Sequence, residues 1–207
     1  MADFCIEDGE GFRMQSCISP VWDTALTALA LLDSGEKPEH PAHQKAGRWL
    51  IEKQVMTGGD WQIKNCCPPG GWAFEFVNNK YPDVDDSAVV LVALERLKSS
   101  IPCDGVEKSL SRGLDWCLSM QCLNGGWAAF DKENTMMILN RIPFADNEAM
   151  LDYPTADVTA RVVEAMGTMG HPLSHKAAQG GIQFLKSLQE ADGSWWGRWG
   201  VNYIYGT

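Results

Sequence analysis

Three stretches of the chain repeat one pattern. GRWLIEKQVMTGGDW (47–61), GLDWCLSMQCLNGGW (113–127) and GIQFLKSLQEADGSW (181–195) each start at a glycine and carry a Gln five positions after an aromatic. Each then closes on Gly-x-Trp. The glutamines Gln54, Gln121 and Gln189 lie 67 and 68 residues apart. Self-similarity at a fixed period is the signature of stacked supersecondary units, each burying its apolar face against the next. That period constrains the fold more than any other feature.

A second element precedes each repeat. PVWDTALTALALL, DDSAVVLVALERL and ADVTARVVEAMG each place an acid (Asp23, Asp86, Asp157) and a Ser or Thr before an apolar, alanine-rich run. Asp, Ser and Thr cap helix N-termini by accepting from the first free N–H groups. Val89, Val90 and Val92 allow a strand locally, but the recurrence and the Ala-Leu-Glu-Arg-Leu ending favour a helix. Each unit therefore reads as a buried inner helix, a connection, an amphipathic outer helix ending at the Gln, and a Gly-Trp loop. The pairs Gln54–Trp61, Gln121–Trp127 and Gln189–Trp195 are expected to be structural. The amide would hold free helix ends, and the indole would stack over the junction. Three such units, 18–80, 81–153 and 154–207, form an all-α arc with an open edge at each end. The chain is expected to be a fragment of a longer α/α ring.

The formal net charge of −10 argues against a nucleic-acid partner, because phosphate binding needs clustered Lys and Arg. The chain has no apolar run near the roughly 20 residues of a membrane span, and no signal-peptide pattern. The seven cysteines form no CxxC pair, which disfavours zinc and suits a reduced, cytoplasmic setting.

Chemistry is expected in the long aromatic connections. In YPDVDDSAVV (81–90), three carboxylates occupy four positions at an inner-helix start. Mutual repulsion raises the pKa of at least one of them, while a helix N-terminus supports the anion. One protonated acid with a stabilised conjugate base is a strong general acid. A solvated helix cap and a Mg²⁺ site are the rival readings. Trp72, Phe74, Phe76 and Tyr81 precede the triplet within twelve residues. Aromatic faces stabilise cations without attacking them, which points to carbocation chemistry in a water-excluding pocket. If the inner helices run parallel, Asp23, the triplet and Asp157 gather at one mouth.

The Gln–Gly–Trp repeats resemble the QW motifs of the triterpene cyclases, and PDVDDSA resembles the DxDD acid motif of class II terpene cyclases. SCISPVWDTAL (16–26) and GRWGVNYIYGT (197–207) are similar to the bacterial squalene–hopene cyclases in particular. The resemblance covers almost the whole chain and implies part of an (α/α)6 toroid. It implies cyclisation of squalene to pentacyclic hopene, with some hopanol where water captures the last cation, using neither metal nor redox cofactor. This is an isomerase reaction; hopanol formation is a lyase reaction in reverse. Asp85 maps to the proton donor, and Asp83 and Asp86 to its tuning partners. Trp22, Phe74, Phe130 and Trp199 fall where the family has cavity aromatics. Tyr205 falls where a tyrosine serves the proton-returning water network.

Two positions depart from the family pattern. Phe130 stands for a tyrosine. Arg161 stands for a histidine beside the acid, and stays charged at any working pH. It is expected to bind the carboxylates flanking Asp85 or to pair with Asp157 at i, i+4. The resemblance further implies a monotopic enzyme on the cytoplasmic face of the membrane, in some members a homodimer. Oxidosqualene cyclases, class II diterpene cyclases and a non-catalytic α/α interaction module are the alternatives. The first resemble DCTAE at the acid motif, and the second need a basic diphosphate loop.

Overall fold

The computed structural model describes residues 5–9, 11–14, 18–63, 65–76, 78–101, 105–134, 136, 138–139, 151–199 and 203–207. Much of the connection 130–159 therefore lies outside the described residues, as does part of the 197–207 segment.

A two-stranded antiparallel hairpin, β1 (Cys5–Asp8) and β2 (Gly11–Met14), comes first and stands apart from the helical pattern. The inner helices are α1 (Pro20–Asp33), α3 (Val84–Leu97) and α5 (Ala156–Thr168). The outer helices are α2 (Pro41–Glu52), α4 (Val106–Ser119) and α6 (Lys176–Ser187). A one-turn helix, α7 (Tyr203–Gly206), ends the chain. The valine-rich run 89–92 is thus helical.

Helix α3 packs between α1 and α5 and against α2 and α4. Twelve of its fourteen residues are buried, including Asp85, Asp86 and Ser87. Helix α1 packs against α2 and α3 and buries only Val21, Ala25 and Ala28. Histidines start two of the outer helices. The ring Nδ1 of His40 accepts from Ala42 N (3.2 Å), and that of His175 from Ala177 N (3.3 Å). Each imidazole takes the capping role that Ser or Asp usually fills.

The glutamines join the units. Gln54 Nε2 donates to Gly70 O (2.7 Å) and to Ser109 O (2.9 Å) at the start of α4. Its Oε1 accepts from Ser109 Oγ and Arg112 Nη1, both at 3.0 Å. Gln121 Nε2 donates to Gly125 O (2.8 Å) and to Ala177 O (2.9 Å) at the start of α6. Gln189 Nε2 donates to its own loop at Gly193 O (2.9 Å). The first two glutamines thus satisfy both their own Gly-Trp loop and the next outer helix.

The tryptophan register needs a correction. Trp127 Nε1 donates to Cys117 O and Trp195 Nε1 to Leu185 O, each at 2.7 Å and each four residues before the repeat's Gln. In the first unit the equivalent acceptor, Leu50 O, is met by Trp72 Nε1 at 2.6 Å and not by Trp61. Trp72 follows Gln54 by 18 residues, whereas Trp127 and Trp195 follow theirs by six. The extra segment holds a 3-10 turn (Asp60–Ile63) that places Trp61 edge-on to Trp116, with ring centroids 5.8 Å apart. Its Nε1 is buried without a hydrogen-bond partner.

This register explains two repeat glycines. A Cβ at Gly113 would lie 2.6 Å from Trp72 Cζ3, and one at Gly181 would lie 2.9 Å from Trp127 Cζ3. The indoles of the first two units approach the next outer helix this closely only because a side chain is missing there.

Candidate active site

The backbone of each Gly-Trp loop also positions the next inner helix. Trp72 N donates to Ser87 Oγ (2.7 Å), and Asp83 N donates to Trp72 O (2.7 Å). One unit later, Trp127 N donates to Thr159 Oγ1 (3.0 Å) and Thr155 N to Trp127 O (3.1 Å). Asp83 therefore corresponds to Thr155, Ser87 to Thr159, and Asp85 to Asp157. The sequence alignment of Asp86 with Asp157 is one residue out.

Asp83 is the N-cap of α3, and its Oδ1 accepts from Asp85 N at 2.8 Å. The cap sets the triplet's geometry. Asp85 and Asp86 follow in the first helical turn, beside a cavity of about 480 Å³ lined by the three aspartates, Trp22, Phe74, Phe130, Trp199 and Tyr205. The five aromatics implied by the family resemblance therefore share one cavity with the acids. Of the four aromatics preceding the triplet, Phe74 alone lines it. Trp72 is fully buried at the helix junction. Phe76 is exposed and packs edge-on to Trp49 at 6.4 Å, and exposed Tyr81 reaches Asp60 at 3.5 Å.

Burial is the largest influence on the three carboxyls. It lifts Asp85 to about 7, against the pull of Arg161 and with the help of Asp157. It lifts Asp86 to about 8, reinforced by Asp85 and offset by a hydrogen bond with Asp83. Asp83 is raised well above the carboxylate range by burial and then by Asp86 and Asp85. Asp86 Oδ1 is buried with no hydrogen-bond partner, which disfavours its anion further. The cluster can hold protons at neutral pH.

Arg161 sits on the acid itself rather than on its flanking carboxylates. Its Nε lies 2.7 Å from Asp85 Oδ1, but the pair lacks hydrogen-bond alignment, so charge attraction carries the contact. Its Nη2 donates to Tyr205 Oη (3.0 Å), and its guanidinium lies over the rings of Trp22 (4.8 Å) and Tyr205 (5.7 Å). Asp157 is occupied elsewhere. Its Oδ1 accepts from Thr155 Oγ1 and from Val158 N (3.0 Å), and its Oδ2 from Arg198 N (3.1 Å) and Trp199 N (3.4 Å). Asp157 thus anchors the last loop and does not line the cavity. Asp23 is exposed, accepts from Ser19 Oγ (3.0 Å), and lies off the cavity. Of the acids expected at one mouth, only the triplet lines the cavity, while Asp157 and Asp23 lie near enough to raise the pKa of Asp85 and Asp86, respectively.

Asp152 and Arg198 were not foreseen. Asp152 accepts from three successive backbone amides, Ala129, Phe130 and Asp131, and from Arg198 Nη1 (3.2 Å). Arg198 donates to Leu151 O (2.8 Å) and lies over Tyr153 and Trp199, each at 4.9 Å. Asp152 lies in an irregular connection without periodicity, so spacing offered no signal for it.

Among the described residues, no group of three or more His, Cys, Asp and Glu side chains has a metal-holding arrangement. Cys66, Cys67, Cys117 and Cys122 are free thiols. The side chains of Cys5, Cys17 and Cys103 lie outside the described residues.

Stacked inner and outer helices with acids at an inner-helix start and aromatics around them define a segment of an α/α toroid of the terpene-cyclase class. Residues 18–207 match the family described as squalene-hopene cyclase C-terminal domain. The chain belongs to that family. It is 45% identical over 205 residues to a squalene–hopene cyclase of Bradyrhizobium diazoefficiens, covering 98% of this chain and 31% of that protein. It is 45% identical over 202 residues to a squalene–hopene cyclase of Alicyclobacillus acidocaldarius, covering 97% and 32%. It is also 48% identical over 215 residues to a dammaradiene synthase of Dryopteris crassirhizoma, covering 99% and 31%. The chain spans about a third of the length of these relatives.

Proposed function

We propose that the enzyme containing this chain cyclises squalene to hopene, with some hopanol, and that Asp85 starts the reaction by protonating a terminal alkene. The observation that carries this reading is a buried carboxyl, lifted to about 7, beside a cavity walled by five aromatic rings. An alkene is a very weak base, so its protonation needs an acid that is both protonated and strong in place. Arg161 answers the second need, because its fixed charge stabilises the Asp85 anion left after transfer. Asp83 caps the helix that carries Asp85, and Asp86 stands beside it as a second carboxyl raised by burial, so both tune the acid. Phe74, Phe130, Trp199 and Trp22 offer π-faces to cations formed along the cascade. Phe130 does so without a hydroxyl, so any polar contact at that point comes from elsewhere. Tyr205, bridged to Asp85 through Arg161, is suited to pass a proton back from water.

Gln54 and Gln121, with Trp72 and Trp127, hold the three units into one incomplete ring, and Gln189 and Trp195 close the third unit's own loop. The intact enzyme draws its apolar substrate from a membrane surface on the cytoplasmic side and acts as a monomer or homodimer. No described helix is long and apolar enough to cross a membrane.

Replacing Asp85 by Asn in the full-length enzyme should lower squalene turnover by about 10²–10⁴-fold, the range of general-acid contributions. Near wild-type turnover would refute the assignment. The similarity to a dammaradiene synthase supports a second reading, in which the same acid starts a cascade that ends in another skeleton. Chromatographic identification of the products from squalene separates the two.

A further inference from the structure

We propose that Asp152 is a positioning residue that aims two cavity aromatics, Phe130 and Trp199, and so sets how far the cascade runs. The inference rests on the cyclisation reading above. Phe130 and Trp199 come from loops almost 70 residues apart in sequence, yet their rings meet edge-to-face with centroids 6.4 Å apart. Neither belongs to a helix that would fix its direction. The three successive amides that converge on Asp152 fix the backbone on both sides of Phe130. The same carboxylate holds Arg198, whose guanidinium lies on the Trp199 ring. One anion therefore sets two rings from two units of the repeat.

The ion pair is deeply buried, with the side chains of Arg198 and Asp152 only 1% and 12% exposed. Removing the Asp152 charge takes away the ion-pair partner of Arg198, although Arg198 keeps its bond to Leu151 O. Arg198 and Trp199 are also tied through their amides to Asp157, which restrains the loop without orienting the Trp199 ring. The ring itself meets Arg198 and Phe130, and Asp152 holds both of these. A ring turned away from its cation no longer stabilises it. That cation then loses a proton before the next ring closes, giving incompletely cyclised products.

The test is made on the full-length enzyme with squalene, comparing wild type, Asp152→Asn and Asp152→Glu. Asn places an N–H where Asp152 accepts, and Glu keeps the anion but moves it. The ratio of incomplete to complete cyclisation products should rise about five- to thirty-fold in Asp152→Asn, the rate equivalent of one cation–π contact. It should rise less in Asp152→Glu. In an enzyme that already carries Phe130→Ala, Asp152→Asn should shift the ratio by a smaller factor, because one of its two targets is gone. Fluorotryptophan at Trp199 gives a readout independent of turnover. Its ¹⁹F resonance should move or broaden in Asp152→Asn. An unchanged ¹⁹F resonance overturns the inference, even if the wild-type enzyme leaves squalene untouched and the functional reading fails. Folded variants with lowered melting temperature but the wild-type product ratio reduce Asp152 to a structural role and also overturn it.

Discussion

Asp85 joins two opposed requirements in one side chain. Burial keeps its proton on up to about pH 7, and Arg161 keeps its anion from becoming too basic. The active form is protonated, so turnover should hold on the acid side and fall about tenfold per pH unit above roughly 7. Arg161 does not titrate in that range, so it adds no acidic limb of its own. Arg161→Gln removes the charge that lowers the Asp85 pKa. The alkaline limb should then move up by about one pH unit or more, while the plateau rate drops because the acid is weaker. A limb that stays in place would separate Arg161 from the acid. Stability shows the same linkage. Asp85 binds its proton more tightly folded than unfolded, so the native state holds more protons between about pH 4 and 7, and stability falls as pH rises through that window. A rise from 3.8 to about 7 corresponds to roughly 4 kcal/mol for this group alone. Asp85→Asn should therefore melt higher than wild type at pH 8 and show little gain at pH 4 in thermal denaturation of the full-length enzyme.

At the scale of the element, the tryptophan–glycine contact is the recurring device. Trp72 donates to Leu50 O at 2.6 Å and lies across Gly113, whereas Trp61 makes an edge contact with Trp116 and no hydrogen bond. Trp72→Phe should cost about 2–3 kcal/mol, from the lost buried hydrogen bond to Leu50 O, which keeps only its bond from Lys53 N, plus lost volume. Trp61→Phe keeps a ring on Trp116 and removes an N–H that had no partner, so it should cost less than about 1 kcal/mol. Chemical denaturation of the two variants ranks them, and a costlier Trp61 would restore the register read from the sequence. That register failed for a physical reason. GGDW in the longer first loop matches the pattern's ending as well as GGW does, and a linear spacing cannot reveal an inserted turn. The helices themselves were legible, because caps and apolar runs repeat around α1, α3 and α5. The facing of Phe76 and Tyr81 was not, because an irregular loop has no period from which to read direction. The contact of Arg161 with Asp85, rather than with Asp157 on its own helix, was hidden likewise. Spacing of i, i+4 marks who can meet along one helix, not who is nearer across two.

For the whole molecule, the glutamines show how the units depend on one another. Each can bind its own loop and the start of the following outer helix, and the three are satisfied unequally in this chain. Gln54 joins α2 to α4 through two carbonyls, a serine hydroxyl and Arg112. Gln121 joins α4 to α6 through two carbonyls, and Gln189 reaches only Gly193 O. Burial follows the same order, with Gln54 buried, Gln121 half-buried and Gln189 exposed. In this 207-residue chain, Gln→Ala should therefore cost about 2–3 kcal/mol at Gln54, about 1–2 at Gln121 and less than about 0.5 at Gln189, counting roughly 1 kcal/mol per bond lost and more where a buried partner is stranded. The relatives are about three times longer than this chain, so a further helix pair next to α6 in the full-length enzyme can be tested. If that pair stacks in register, Gln189 gains a carbonyl at the start of its outer helix, and Gln189→Ala should become as costly as Gln121→Ala. Denaturant unfolding of both variants in the short chain and in the full-length enzyme decides this. Stacked repeats are stabilised largely by their nearest-neighbour interfaces, so a Gln189→Ala variant as neutral in the full-length enzyme as in the short chain would mean that the ring does not continue across the α6 edge.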